Sequence, residues 1–254
     1  MSLSVLLAFL ALVGVGAYVQ TVTGFAFGLV VMGGIALTGT LPLPDAAVVI
    51  GLLVLVNAGQ MLAKSWRNAW NREFKLILLS SLPTLAVSYW LLETLAANNL
   101  DALRIFLGLV ILVSSVQLVL PGAMKTVRSS DGSFIAAGVA GGVLSGLFST
   151  SGPPLVYHLY RQPFPLPRIK ETLVAVFAVN SLLRLGVVAG TGNFPVASLW
   201  LAALAVPVVF GAGYAAKRWP PTLSPRVTRI LVFLLLALSG LSLALPSLVS
   251  MLVG

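Results

Sequence analysis

From Ala46 to Ala63 the chain runs eighteen residues without a charge, and then meets Lys64. A helix of that length crosses a hydrocarbon core of about 30 Å, and no other element satisfies its own backbone there except a strand in a closed barrel. The run is one of ten, at about 3–20, 24–39, 45–63, 74–92, 103–120, 134–149, 153–160, 169–190, 197–216 and 229–248. Barrel strands would alternate apolar and polar residues, whereas these runs are continuously apolar and rich in Leu, Ala and Val. Only 8% of residues are charged, against about 25% in soluble domains. The fold class is therefore an all-α polytopic membrane protein. The net charge of +9 does not point to nucleic acid, because the bases cluster in short loops between apolar runs, as the positive-inside rule expects. With no Cys, disulfides and thiolate metal sites are excluded. Residues 1–14 lack a basic n-region and read as a membrane segment rather than a cleaved signal.

The two halves of the sequence align. Leu41-Pro42-Leu43-Pro44 matches Phe164-Pro165-Leu166-Pro167, and Asn57 and Asn180 each follow thirteen residues after the last Pro of their motif. Pro83 matches Pro207, Arg104-Ile105 matches Arg229-Ile230, and Pro121 matches Pro246, the offset moving only from 123 to 125. Thr23-Gly24 matches Ser151-Gly152 once the first half is allowed five extra residues. Matched loops carry opposite charge bias. The segment 40–45 has no base and its partner 161–170 has three, while 64–75 has four and its partner 190–197 has none. The loop at 93–101 carries Glu93 and Asp101, and its partner at 217–229 is basic. Opposite bias means opposite orientation, so the expected architecture is two inverted-topology repeats.

Inversion requires an odd number of crossings per half. Three spans are evident in each, so the first element must be a re-entrant hairpin of half-helices; a single broken span is the alternative. The expected layout is a first repeat over 1–123 (hairpin 3–39, spans 45–63, 74–92 and 103–120), a cytoplasmic linker at 124–133, and a second repeat over 134–254 (hairpin 134–160, spans 169–190, 197–216 and 229–248). Both termini then lie outside.

Each hairpin turns at a short polar break, Thr21-Val22-Thr23-Gly24-Phe25 in the first and Ser149-Thr150-Ser151-Gly152-Pro153-Pro154 in the second. Paired interruptions in the two halves mark a transporter's binding site. Thr21, Thr23, Gly24 and Phe25 are expected to start a half-helix, as are Ser149, Thr150, Ser151 and Gly152, with N–H groups that suit an anion. The competing reading is close Gly/Ser packing between helices. Asn57 and Gln60 share one helix face, and Asn180 and Arg184 share a face of the repeat partner. Arg184 is the one charge well inside a span, a candidate for anion contact; the alternatives are snorkelling outward or bonding loose carbonyls at a break. The two Asn equally suit inter-helix glue. His158, the sole His, reads first as structural and second as a candidate for proton coupling. Tyr157 and Tyr160 read as interfacial aromatics.

Asp45, Glu73, Glu93, Asp101, Asp131 and Glu171 all sit in loops or at span ends. No carboxylate pair serves acid–base chemistry, no His/Glu cluster suits a metal, and no Gly-rich loop ends in Lys-Ser or Lys-Thr. An enzyme is not expected, nor is a cofactor. Hydroxyls, amides, backbone N–H groups and one guanidinium remain, and these donors suit a small oxyanion.

The opening Gly14-Val15-Gly16 through Gly24-Phe25-Ala26-Phe27-Gly28, its echo from Gly138 to Pro154, and the duplicated layout resemble the sulfite exporter TauE/SafE family over nearly the whole chain. The second break carries Ser151-Gly152-Pro153-Pro154 where the family has a Gly-rich cluster. The resemblance implies a secondary transporter in the bacterial inner membrane that exports sulfite, sulfoacetate or related organosulfonates, with the proton gradient as candidate driving force. Expected partners are the oxyanion, the lipid bilayer and a second copy of the chain in a homodimer, with no nucleic acid. Two other classes stand beside this reading: an intramembrane lipid-processing enzyme or scramblase, and a passive anion channel.

Overall fold

The structure is a computed structural model. It describes residues 2–98, 100–119, 125–192 and 194–219, and in the last stretch residue 230, residues 233–234, 237, 240–241 and 244–249. Pro121, Met124, Arg226 and Arg229 lie outside the described residues, and the expected span at 229–248 is described only in part, its described residues being helical.

Among the described residues helix is the only regular structure, with no strand: α1 (Leu3–Thr23), α2 (Phe27–Thr38), α3 (Leu43–Leu62), a short α4 (Trp66–Ala69), α5 (Arg72–Asn98), α6 (Leu100–Val119), α7 (Asp131–Phe148), α8 (Gly152–Tyr160), α9 (Leu166–Gly190), and α10 (Leu199–Arg218) after a 3-10 turn at Val196–Ser198. Six of these are long and apolar enough to cross a membrane: α1, α3, the Arg72–Leu92 part of α5, α7, α9, and Val196–Arg218. The matched Pro motifs do matching work. Pro42 and Pro165 are the N-caps of α3 and α9, each with a further Pro in the first turn, where the missing N–H is harmless. Pro83 and Pro207 sit inside α5 and α10, a position that membrane helices tolerate.

Both first elements turn back on themselves. Gly16 of α1 lies against Phe27 and Val31 of α2, and Gly34 of α2 lies against Leu12. Contacts that descend on one helix while rising on the other mean antiparallel packing. In the second hairpin Gly141 of α7 meets Leu155 of α8, while Phe134 stacks edge-on with His158 at 4.6 Å. The expected hairpins of two half-helices need correction. α1 and α7 have 21 and 18 residues, about 31 and 27 Å at 1.5 Å per residue, and only the returning arms α2 and α8 are short. The reason lies at the helix ends. Thr21 and Thr23 continue α1 rather than interrupting it, and α7 begins at Asp131, inside the expected linker.

α7 packs along α5 with the chains running the same way. Its Gly138, Gly142 and Gly146 face Ile77, then Ser81 and Thr84, then Leu85, Ser88 and Tyr89, a small-residue rail that lets backbones approach. α1 runs alongside α10 in the same sense, with Gly14 near Val208 and the Tyr18 hydroxyl donating to the Trp219 carbonyl at 3.2 Å. α3 and α9 pack antiparallel: Gly51 meets Leu185, and at the other end Met61 and Leu62 lie beside Lys170. At the basic end, the buried Glu73 accepts from Arg128 and Arg168, each at 2.7 Å, and ties the starts of α5 and α9 to the linker. The bond to the Glu73 carboxylate raises the Arg128 pKa above the ordinary guanidinium value.

Candidate functional site

The two breaks meet. Gly28, at the start of α2, lies so close to the second break that a Cβ there would stand 3.1 Å from the Ser149 carbonyl oxygen and from Thr150 Cβ. Gly152, at the start of α8, has Leu29 of α2 beside it. The starts of the two short arms therefore face one another inside the molecule, and Ser149, Thr150 and Ser151 are 6%, 7% and 2% exposed.

The first break is the exit of a helix, which corrects the expectation that Thr21, Thr23 and Gly24 begin one. Thr21 Oγ1 donates to the Ala17 carbonyl at 2.8 Å and Thr23 Oγ1 to the Val19 carbonyl at 2.7 Å. Hydroxyls four residues along a helix routinely fold back this way. Gly24 closes α1 with φ 82° and its N–H on the Gln20 carbonyl, the left-handed C-terminal turn that Gly favours. α2 then starts after Ala26, itself at φ 80°, without a side-chain cap. Phe25 is buried and meets the Tyr160 ring edge-on at 6.1 Å.

The loose carbonyls at this exit are held from the other half of the chain. Lys170 Nζ donates to the Val22 carbonyl, and the Tyr160 hydroxyl donates to the Thr23 carbonyl. Tyr160 is thus a clasp on the break, not the interfacial aromatic its position implied. Tyr157 is 42% exposed with the Arg161 guanidinium over its ring, as a surface aromatic would be.

At the second break Ser149 ends α7 in the left-handed conformation (φ 53°) and donates to the Ala47 carbonyl of α3 at 2.7 Å. Ser151 is the N-cap residue of α8, with Pro in the first turn, as expected. Asn180 Nδ2 donates to Ser151 Oγ at 3.1 Å, and Asn180 Oδ1 accepts from Ser81 at 2.9 Å. Asn57 does the equivalent at the first break: its Nδ2 donates to Gln20 Oε1 at 2.8 Å, and Thr21 Oγ1 reaches its Oδ1 at 3.4 Å. Both Asn are fully buried, so each is tied to the break of its own half. Gln60, by contrast, faces α10, donating to the Phe210 carbonyl at 3.0 Å, and stands apart from both breaks.

Arg184 is 1% exposed, so it does not snorkel. Its Nε donates to the Gly146 carbonyl at 3.2 Å, in the last turn of α7, and its guanidinium lies over the Tyr89 ring at 5.6 Å. A cation at a helix C-terminus meets the negative end of the macrodipole. His158 packs on Phe134 with Nε2 3.4 Å from Ser133 Oγ, about two turns along α8 from Ser151; this fits the structural reading. Among the described residues there is no group of three His, Cys, Asp or Glu to hold a metal.

Gln20, Ser81, Tyr89, Lys170 and Tyr160 are the residues that sequence reasoning missed. Gln20 is a polar residue directly before the Thr21 break, and that adjacency was a usable signal. Lys170 reads in sequence as one more loop base, and nothing local separates it from Arg168.

Comparison with known proteins gives two findings. Residues 8–243 match the family model described as Sulfite exporter TauE/SafE. Over 242 residues the chain is 39% identical to a protein named "Probable sulfite/organosulfonate exporter TauE" from Cupriavidus necator, covering 95% of this chain and 94% of that one. No solved structure matches.

Proposed function

The chain belongs to the sulfite exporter TauE/SafE family, and from that premise we propose that it exports sulfite or small organosulfonates by alternating access. The observation that carries this reading is the meeting of the two breaks at Gly28, Ser149 and Thr150. At the second break lie the buried hydroxyls and amide of Ser149, Ser151 and Asn180, at the first break the buried Asn57 with the half-buried Thr21, and Arg184 is buried against the end of α7. Irregular backbone at membrane depth survives where it serves a buried site. Half-helix starts, hydroxyls and a guanidinium all donate hydrogen bonds and favour negative charge. The Ser151, Gly152 and Asn180 grouping is assigned to the anion, with Arg184 as its charge partner.

The inverted-repeat reading has support of its own. Repeat mates α3 and α9 run antiparallel, as inverted copies sharing one pseudo-axis must. Gly142 against Thr84 has its counterpart in Gly14 against Val208, in the register read from sequence. We place the linker and the Glu73 cluster on the cytoplasmic side by the positive-inside rule, in a bacterial inner membrane with both termini outside.

The test is thermal stabilisation of the purified protein in detergent against sulfite, sulfate, sulfoacetate, acetate, taurine and a cation control. A ligand bound only to the folded state raises the midpoint with its occupancy. Selective stabilisation by sulfite or sulfonates, lost in Arg184→Ala, is the expected result. A flat panel sinks the reading and turns attention to lipid substrates.

A further inference from the structure

Where α3 ends and α9 begins, the helices part around a cavity of about 250 Å³ lined by Met61, Leu62, Ser65, Lys170, Glu171 and Val174. A water takes about 30 Å³ in the liquid, so the space holds a small oxyanion with part of its hydration. Lys170 links this cavity to the first break. Its stem packs on Gly24, where a Cβ would come within 3.1 Å of Lys170 Cγ, and its Nζ donates to the Val22 carbonyl at the end of α1. That partner is neutral. Among the described residues neither Lys170 nor Glu171 forms an ion pair: the half-buried Lys170 bonds a neutral carbonyl, while the Glu171 carboxylate lies on the same wall unpaired with it. Desolvated charge without a counter-ion is costly, and an anion would form the stronger, charge-assisted bond.

The repeat register says what should lie at the opposite end of the α3–α9 pair. An offset of 123 carries Met61, Leu62 and Ser65 to Arg184, Leu185 and Val188, and carries Lys170, Glu171 and Val174 to Ala47, Val48 and Gly51. There the space is filled. Val48, Leu185, Val188 and Tyr89 form a packed cluster, each 2–8% exposed. Within the α3–α9 pair one end is open and the repeat-related end is packed, which favours loading between these two helices at the basic end. A separate cavity of about 400 Å³ lies at the other face, between residues 38–41 and 198–201.

We propose that Lys170 is the anion-capture residue of this loading cavity, taking a sulfite or sulfonate oxyanion from the cytoplasmic side before it reaches the breaks. The inference rests on the exporter reading above. Capture withdraws Nζ from the Val22 carbonyl, so loading loosens the clasp on α1 at the moment the first hairpin must move. Glu171, on the same cavity wall, repels the incoming anion and limits affinity.

The experiment is transport of labelled sulfite and sulfoacetate by full-length protein in inside-out vesicles, which present the cytoplasmic face. Lys170→Met should raise KM about tenfold, the scale of one lost charge-assisted hydrogen bond. Lys170→Arg should recover most of that loss, and Glu171→Gln should lower KM. Wild-type KM in a folded Lys170→Met protein overturns the proposal while leaving the exporter reading in place. Should Lys170→Met fail gel filtration, Glu171→Gln decides alone: an unchanged or raised KM overturns the proposal. No flux of either anion through wild-type protein overturns both.

Discussion

The two hairpins share an outline but not an attachment. α7 lies on α5 backbone against backbone: a Cβ on Gly146 would stand 2.5 Å from the Leu85 carbonyl oxygen, and one on Gly142 would stand 2.8 Å from Ser81 Cα. α1 meets α10 through a side chain, and a Cβ on Gly14 would come no nearer than 3.3 Å to Val208 Cγ1. Backbone contact has no rotamer to yield, whereas a Val side chain and a few tenths of an ångström can absorb a shift. The carbonyls at the two helix ends differ in the same direction. Arg184 holds the end of α7 from a fully buried position, while Lys170 and Tyr160 hold the end of α1 from half-buried ones. The second hairpin is thus seated on α5 more closely than the first is on α10.

The sharpest way to break this contrast is a matched pair of substitutions. Gly142→Ala forces a Cβ to within 2.8 Å of Ser81 Cα and should cost about 3 kcal/mol, the upper range for overpacking, so that little monodisperse protein survives gel filtration. Gly14→Ala, its repeat mate, should cost under about 1 kcal/mol and leave the melting midpoint nearly unchanged. Equal losses at both positions would erase the distinction. Next in size, Arg184→Ala should weaken sulfite stabilisation by about 2 kcal/mol, the scale of a hydrogen bond to a charged group, while the protein still folds. Unchanged affinity would reduce Arg184 to a cap on Gly146.

Smaller effects separate the two breaks. Asn57→Ala takes a partner from the buried Gln20 and Asn180→Ala takes one from the buried Ser151, while Ser81 keeps the Leu78 carbonyl, each at about 1–3 kcal/mol of stability. Transport should fall further with Asn180→Ala, because its partner Ser151 begins α8 at the assigned anion site; equal transport in the two variants would move the site to midway between the breaks. Smallest is Ser149→Ala, which removes one hydrogen bond to the Ala47 carbonyl and should lower stability by about 1 kcal/mol, read from a detergent melting curve.

Much of the architecture was legible because membrane helices advertise themselves twice, by apolar length and by what punctuates it. Pro42 with Pro44 and Pro165 with Pro167 marked the starts of α3 and α9, and two polar breaks marked both chain reversals. The sequence also carried the paired Asn57 and Asn180, each of which the fold ties to the break of its own half. Facing was another matter. These helices are apolar all round, so hydropathy has no phase from which to read which side meets a neighbour. Whether Thr21 and Thr23 open a helix or close one depends on where their hydroxyls turn, and α1's own carbonyls took them. Lys170 and Arg184 differ little as letters, yet one stands half-buried in a cavity wall and the other is fully enclosed over Tyr89. Composition and spacing determined that this chain is a bundle of membrane helices broken twice. Only tertiary packing decided which cations answer the carbonyls at those breaks, because the answering residues lie far along the chain: Lys170 reaches Val22 across 148 positions and Arg184 reaches Gly146 across 38.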